Sequence, residues 1–301
     1  MKIGMTLPSM VVDGSYSRQT TLDWSRLCDQ AGFASLACGE RITFGNQEPL
    51  VLLSAAAALT ERIRIFPTVM ISPMHSTEWL AKRMATLDVL SEGRLALAVG
   101  AGGREHDYRA VGATFKGRNT RMRKQVDQLR ALWDGTPPFE GAAPIGPSPT
   151  RSSGIPIMAG VMGPKASARA AEWADGLCGS VVDGRFDKLG EWVRLANESW
   201  EKAGRSHAPE LSTTCWYALG QDADQVLKSY VFDYMEIFGE KTARGMADIQ
   251  TVSSEEALLK ACAAARDAGC DEFILVPASA QTAMLEQTIA TLEGEQWLSQ
   301  A

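Results

Sequence analysis

Few residues in this chain could do chemistry. Glu40 and Arg41 close the small-residue run ACGER, His75 stands in SPMHST, and His106 stands in REHDY. A carboxylate can hold or release a proton, an imidazole can do both near neutral pH, and a guanidinium can hold an anion. Glu40 and Arg41 fit two arrangements: a clamp on a ligand, or a salt bridge to each other at a strand end. His106 is either a ligand contact or a solvated loop residue. His75 is either a helix-start group or part of a site. The run Gly160-Val161-Met162-Gly163-Pro164-Lys165 follows an apolar stretch and opens a helix. Free backbone N–H groups at such a turn attract anions, and Lys165 adds charge; an ordinary turn with proline in the first helical position has the same spelling. Gly100-Ala101-Gly102-Gly103 resembles the start of a dinucleotide fingerprint, but position 105 is Glu where that pattern needs Gly. It reads equally as a glycine-rich strand end that admits another backbone or a flat ligand.

Other chemistries lack their residues. There is no G-x-S-x-G elbow, no P-loop and no H-E-x-x-H pair, so a serine nucleophile, a nucleotide cradle and a protein-bound zinc have no motif. The six cysteines (28, 38, 178, 215, 262 and 270) form no C-x-x-C pair and read as small buried residues of a reduced cytoplasm.

These residues need a scaffold, and the chain alternates short apolar runs with segments of helical period. Strands are expected at Lys2–Leu7, Phe33–Cys38, Ile63–Ile71, Arg94–Gly100, Ile155–Val161, Leu177–Val182, Ser212–Leu219 and Asp271–Val276. Most are continuous apolar runs, the pattern of parallel strands covered on both faces. Between them lie apolar stripes such as Leu80/Met84/Leu87, Met122/Val126/Leu129/Trp133 and Leu189/Trp192/Val193/Ala196/Trp200, each one face of a helix. Gly32, Gly93 and Gly176 stand where helices would stop. Eight strand–helix units predict a single (β/α)8 TIM barrel over residues 1–301, with insertions after strands 4 and 7 (Gly102–Thr120 and Asp222–Met246). A doubly wound open sheet is the other architecture with this alternation. In a barrel the residues just past the strands form the site, which gathers Glu40, Arg41, His106 and Gly160–Gly163. Trp216 and Tyr217, inside the seventh strand, read as core.

Composition bounds the partners. The 301 residues are 45% hydrophobic and carry a net charge of −6, with no basic block of the kind that binds nucleic acid. No run approaches the roughly 18 apolar residues of a membrane span, and the N-terminus lacks the charged and apolar regions of an export signal. A cytoplasmic protein acting on a small molecule is expected.

The ordered motifs have a family likeness. The runs TLDVLSEGRLALAVGAGGREHDYRAVG (Thr86–Gly112), RMRKQVDQLRALWDG (Arg121–Gly135) and IPIMAGVMGPKASARAAEWADG (Ile155–Gly176) together resemble the bacterial luciferase-like family. The resemblance implies a barrel that binds reduced FMN or the deazaflavin coenzyme F-420 at its C-terminal mouth. It would then monooxygenate a substrate or move a hydride, with the cofactor supplying the reactivity. It further implies that Thr68 and Val69 form a non-proline cis peptide behind the cofactor ring. His106 would bond the cofactor, Gly160, Val161, Met162 and Gly163 would receive its phosphate, and Glu40 would be the acidic residue of the second strand's end. A homodimer, and a separate reductase supplying reduced cofactor, are also implied.

One position departs from the family. Relatives often have a histidine after the acidic residue, and here it is Arg41. An arginine does not shuttle protons near neutral pH, though it can stabilise a negative ring or substrate. Glu40, Arg41 and His106 are the catalytic candidates, with His75 the other histidine that could take the acid–base role. The turn Gly160–Pro164 has no serine, which favours coenzyme F-420 over FMN. A flavin-binding barrel without turnover is the alternative.

Overall fold

The computed structural model describes residues 1–161, 163–182 and 184–298. Eight parallel strands follow one another round a ring: β1 (Lys2–Thr6), β2 (Ser35–Cys38), β3 (Arg64–Pro67), β4 (Leu97–Val99), β5 (Ile157–Gly160), β6 (Gly176–Ser180), β7 (Glu210–Tyr217) and β8 (Glu272–Pro277). The ladder runs β3-β2-β1-β8-β7-β6-β5-β4. Isolated parallel bridges Ile65–Leu95 and Met70–Val99 join its two ends. This is the (β/α)8 barrel, and the open sheet is set aside because its edges meet.

Helices cover the outside: α1 (Arg18–Gln30), α2 (Pro49–Leu59), α3 (Thr77–Leu90), α4 (Glu105–Ala110), α5 (Arg118–Trp133), α6 (Pro164–Ala170), α7 (Leu189–Lys202), α8 (Ala223–Met235), α9 (Glu240–Asp248), α10 (Glu255–Asp267) and α11 (Thr282–Gly294). Their apolar stripes face the sheet, as with Leu80, Met84 and Leu87 on α3 and Val126 and Leu129 on α5, all buried. The indole of Trp133 ties these two helices by donating to the Ala81 carbonyl (3.1 Å). The insertion after β4 carries α4, and the one after β7 carries α8 and α9.

Two local expectations are corrected. The third strand was expected over Ile63–Ile71, but its ladder stops at Pro67 because Thr68 and Val69 turn out of the sheet. The chain rejoins at Met70, whose N–H donates to Ala98 O (2.8 Å). Gly176 does not end a helix: it begins β6, and a Cβ there would collide with the Glu210 carbonyl on β7.

Inward side chains alternate along each strand and form layers. The N-terminal end is plugged by charge. Arg64 pairs with Glu210 (2.5 Å) and with buried Glu272, which also accepts from Ser35. Burial lowers the affinity of Arg64 for its proton, yet Glu272 and Glu210 hold it above the ordinary arginine value. The middle layer is apolar, with Ala37, Phe66, Ala98, Met158, Cys178 and Ile274 in one cluster. The third layer is small: the next inward positions on β2, β4 and β5 fall on Gly39, Gly100 and Gly160. With no side chains from these three strands to fill it, the core stops and a cavity opens at the C-terminal mouth.

Candidate active site

The cavity measures about 430 Å³, within the range of small-molecule sites. Thr68 and Val69 form one wall, together with Gly160 and Val161. The Thr68–Val69 peptide is cis, the geometry that the family likeness implies. The surrounding glycines explain how the segment fits. A Cβ on Gly39 would lie 3.1 Å from Thr68 O, and one on Gly100 would lie 3.1 Å from Val69 Cγ2. One on Gly160 would strike Val69 Cγ1. Three strand ends therefore give up their side chains so that Val69 can stand forward.

Glu40 reaches this cavity and is 7% exposed. It does not pair with Arg41. Its Oε2 accepts from the Ile71 N–H (2.6 Å), and its Oε1 lies 2.7 Å from His75 Nε2. His75 follows a short 3-10 turn, Ser72–Met74, and Gln125 on α5 donates to its carbonyl (2.9 Å). Thus the loop after β3 brings an imidazole to the carboxylate that the loop after β2 presents.

Arg41 turns the other way. Its Nη1 donates to the Tyr234 carbonyl on α8 (3.1 Å), and its guanidinium carbon lies 3.9 Å from the centroid of Phe44. Burial, and then the charge of Arg104, pull its pKa down to about 10, so it stays cationic at neutral pH. Beside it, Asp107 Oδ1 accepts from the N–H of Thr43 (2.7 Å), its hydroxyl (2.6 Å) and the N–H of Ile42 (3.3 Å). Burial opposes ionisation of Asp107, but these donors outweigh it and hold the carboxyl below the usual carboxylate range.

His106 stands exposed on α4 and does not line the cavity; its neighbour Asp107 points inward in its place. Gly160 and Val161 line the cavity, while Gly163 is exposed as the residue before α6. Met162 lies outside the described residues. The sequence reading missed an aromatic wall. Trp216 on β7 is buried in the core, as expected, and also faces the cavity with Tyr230 and Tyr234 of α8, while Tyr217 is core alone. Strand alternation holds the signal, because Thr214 and Trp216 share one face of β7 and Cys215 and Tyr217 the other. Among the described residues no His, Cys, Asp and Glu cluster could hold a metal, and no helix is long and apolar enough to cross a membrane.

Comparison with known proteins follows the same geometry. The model of the luciferase-like monooxygenase family matches residues 1–288. This chain belongs to that family. An uncharacterised protein of Mycobacterium tuberculosis is 33% identical over 172 residues, 54% of this chain and 60% of that protein; the match thus spans under two thirds of the relative. Two solved luciferase-like barrels are similar in fold. One is an F420-dependent secondary alcohol dehydrogenase in complex with an F420-acetone adduct, with TM-score 0.80, 19% identity and 97% of each chain covered. The other is the oxygenating constituent of 3,6-diketocamphane monooxygenase from Pseudomonas putida in complex with FMN, with TM-score 0.76, 17% identity and 99% of each chain covered.

Proposed function

We propose that this luciferase-like chain is an oxidoreductase that holds a reduced deazaflavin, coenzyme F-420, in preference to FMN, and acts on a small organic substrate. The observation that carries the reading is the cavity bounded by Thr68–Val69 on one side and the Glu40 carboxylate on the other. Bound there, a reduced deazaflavin supplies a hydride, and reduced FMN would supply oxygen activation for monooxygenation. Val69, Gly160 and Val161 support the flat face of the ring. Gly160, Val161 and Gly163 offer backbone N–H groups to an acidic tail. Because this turn has no hydroxyl, it suits the deazaflavin members better than FMN members that use a serine there.

Glu40 supplies the proton chemistry. It touches the cavity, and His75 Nε2 at 2.7 Å fixes its orientation and shares its proton. The Ile71 N–H holds the second oxygen, so one oxygen stays a fixed acceptor while the other exchanges a proton with the imidazole. The pair takes over the acid–base work that Arg41 cannot do. Arg41 also favours a second reading, a flavin-binding barrel without turnover.

Titration of the purified protein with coenzyme F-420 and with FMN tests the proposal. Binding of the deazaflavin supports it. Tight FMN binding with none for the deazaflavin overturns the preference, and binding of neither overturns the reading. Stopped-flow mixing of the loaded protein with carbonyl, nitro or conjugated compounds, and with oxygen, separates the enzyme from the binding barrel.

A further inference from the structure

Arg104 lines the cavity, and Arg41 stands behind it on the same tyrosine, with neither in an ion pair among the described residues. Both lie over the ring of Tyr234, their guanidinium carbons 5.2 and 4.7 Å from its centroid. Phe44 covers Arg41 at 3.9 Å, and Phe238 covers Arg104 at 5.3 Å. Arg41 is only 5% exposed. The Nε of each is buried and makes no hydrogen bond, and among the described residues no carboxylate lies within 4 Å of either guanidinium. The nearby carboxylates are occupied: Asp107 by the Ile42–Thr43 segment, and Glu40 by His75 and Ile71. The other titratable groups facing the pair are the phenols of Tyr230 and Tyr234, and burial pushes Tyr230 further from ionisation.

Two cations close to one ring oppose each other, and leaving a buried one without an ion pair is costly. Burial first, and then the charge of Arg104, lower the proton affinity of Arg41. An anion bound at Arg104 would offset the charge of both. The guanidinium fork suits a carboxylate or phosphate, and stacking on aromatic rings presets its plane. The surrounding wall is aromatic: Tyr230 and Tyr234 stack at 6.3 Å with 13° between their planes, and Trp216 meets Tyr234 edge-on at 5.5 Å.

We propose that Arg104, with the charge of Arg41 behind it, forms a subsite for an anionic group of the substrate, and that the substrate is an acid with an apolar or conjugated body lying against Trp216 and Tyr234. The assignment to substrate rests on the cofactor reading above, in which Gly160, Val161 and Gly163 on the β5 side take the cofactor's own acidic tail. The arginines stand instead after β2 and β4, under α8.

Ligand-observed NMR on the full chain, without cofactor, tests it with benzoate and its neutral shape-match benzamide. Benzoate is expected to bind at least about tenfold more tightly than benzamide to the native protein. Arg104→Gln should abolish that preference, and Arg104→Lys should keep part of it, both variants retaining the native circular dichroism. Equal binding of the two probes, or a preference that survives Arg104→Gln, overturns the subsite. A second arm compares FMN with riboflavin. If Arg104→Gln weakens FMN several-fold and leaves riboflavin unchanged, the anion belongs to the cofactor, and the substrate assignment is overturned. The first arm contains no cofactor, so failure of the cofactor reading is seen separately as no binding of FMN or coenzyme F-420 to the native protein.

Discussion

Gly160→Ala is the sharpest test of how the mouth is built. The new Cβ would strike Val69 Cγ1, with Val69 Cβ and Val99 O each 3.3 Å away. Valine is stiff at χ1, so Cγ1 does not swing aside freely. The backbone must therefore move. Overpacking of this kind costs about 1–3 kcal/mol, and each kcal/mol lowers Tm by about 2–4 °C in a domain of 150–250 residues, with a smaller shift in a longer chain. Thermal unfolding of four proteins (native, Gly160→Ala, Val69→Ala and the double variant) gives the answer as a cycle. Val69→Ala removes the methyl that is struck, so the double variant should recover most of the loss. The coupling should be about 0.5–3 kcal/mol, the range for side chains in contact. Affinity for the cofactor should fall in Gly160→Ala as Val69 is displaced from the wall. Additive stabilities, or a Gly160→Ala protein as stable as the native one, would refute the argument that this glycine exists to make room for Val69.

Other outcomes follow from the same geometry. Glu40→Gln keeps the shape and removes the exchangeable charge, so turnover should fall by about 10²–10⁴-fold with cofactor affinity little changed; native turnover rates would remove Glu40 from the chemistry. His106→Ala should leave stability within about 0.5 kcal/mol and leave cofactor binding intact, because the side chain is exposed and outside the cavity; a clear loss in a binding titration would return it to the site. Gly163→Asp should weaken binding of an acidic cofactor by placing like charge at the turn, measured against riboflavin as the uncharged control. Asp107 has its carboxyl held low by three donors, so its contribution is present above the unfolded value of about 3.9 and is lost as pH falls through the lower folded value. Acid unfolding should therefore show the Tm gap between the native protein and Asp107→Asn narrowing below about pH 4. A gap that widens on acidification contradicts the assignment.

The barrel was legible because its strands are buried on both faces and so read as apolar runs, and because Leu80/Met84/Leu87 and Val126/Leu129 repeat at helical spacing. The strand ends were less legible. The apolar stretch Ile63–Ile71 continues through Thr68 and Val69, and hydrophobicity does not register a turn whose residues stay buried or half-buried. Glu40 stood out as a charge in a small-residue run. Its pairing with His75 did not, since 35 residues separate them and it is the parallel pairing of β2 with β3 that sets their loops side by side. The Arg41–Tyr234 contact spans 193 residues and had no local signal at all.

What sequence did hold, and what a reading of apolar runs passes over, is the taper along alternate positions. Ser35, Ala37 and Gly39 follow one another on the inner face of β2, Ala96, Ala98 and Gly100 on that of β4, and Met158 and Gly160 on that of β5. A barrel filled by side chains has no cavity, so a cavity at one end requires the inward residues to shrink toward that end. Glycine at three neighbouring strand ends achieves this and also admits Val69. The forward position of Val69 and the open mouth are thus one packing solution, and the candidate site is located by where the core runs out as much as by any charged residue.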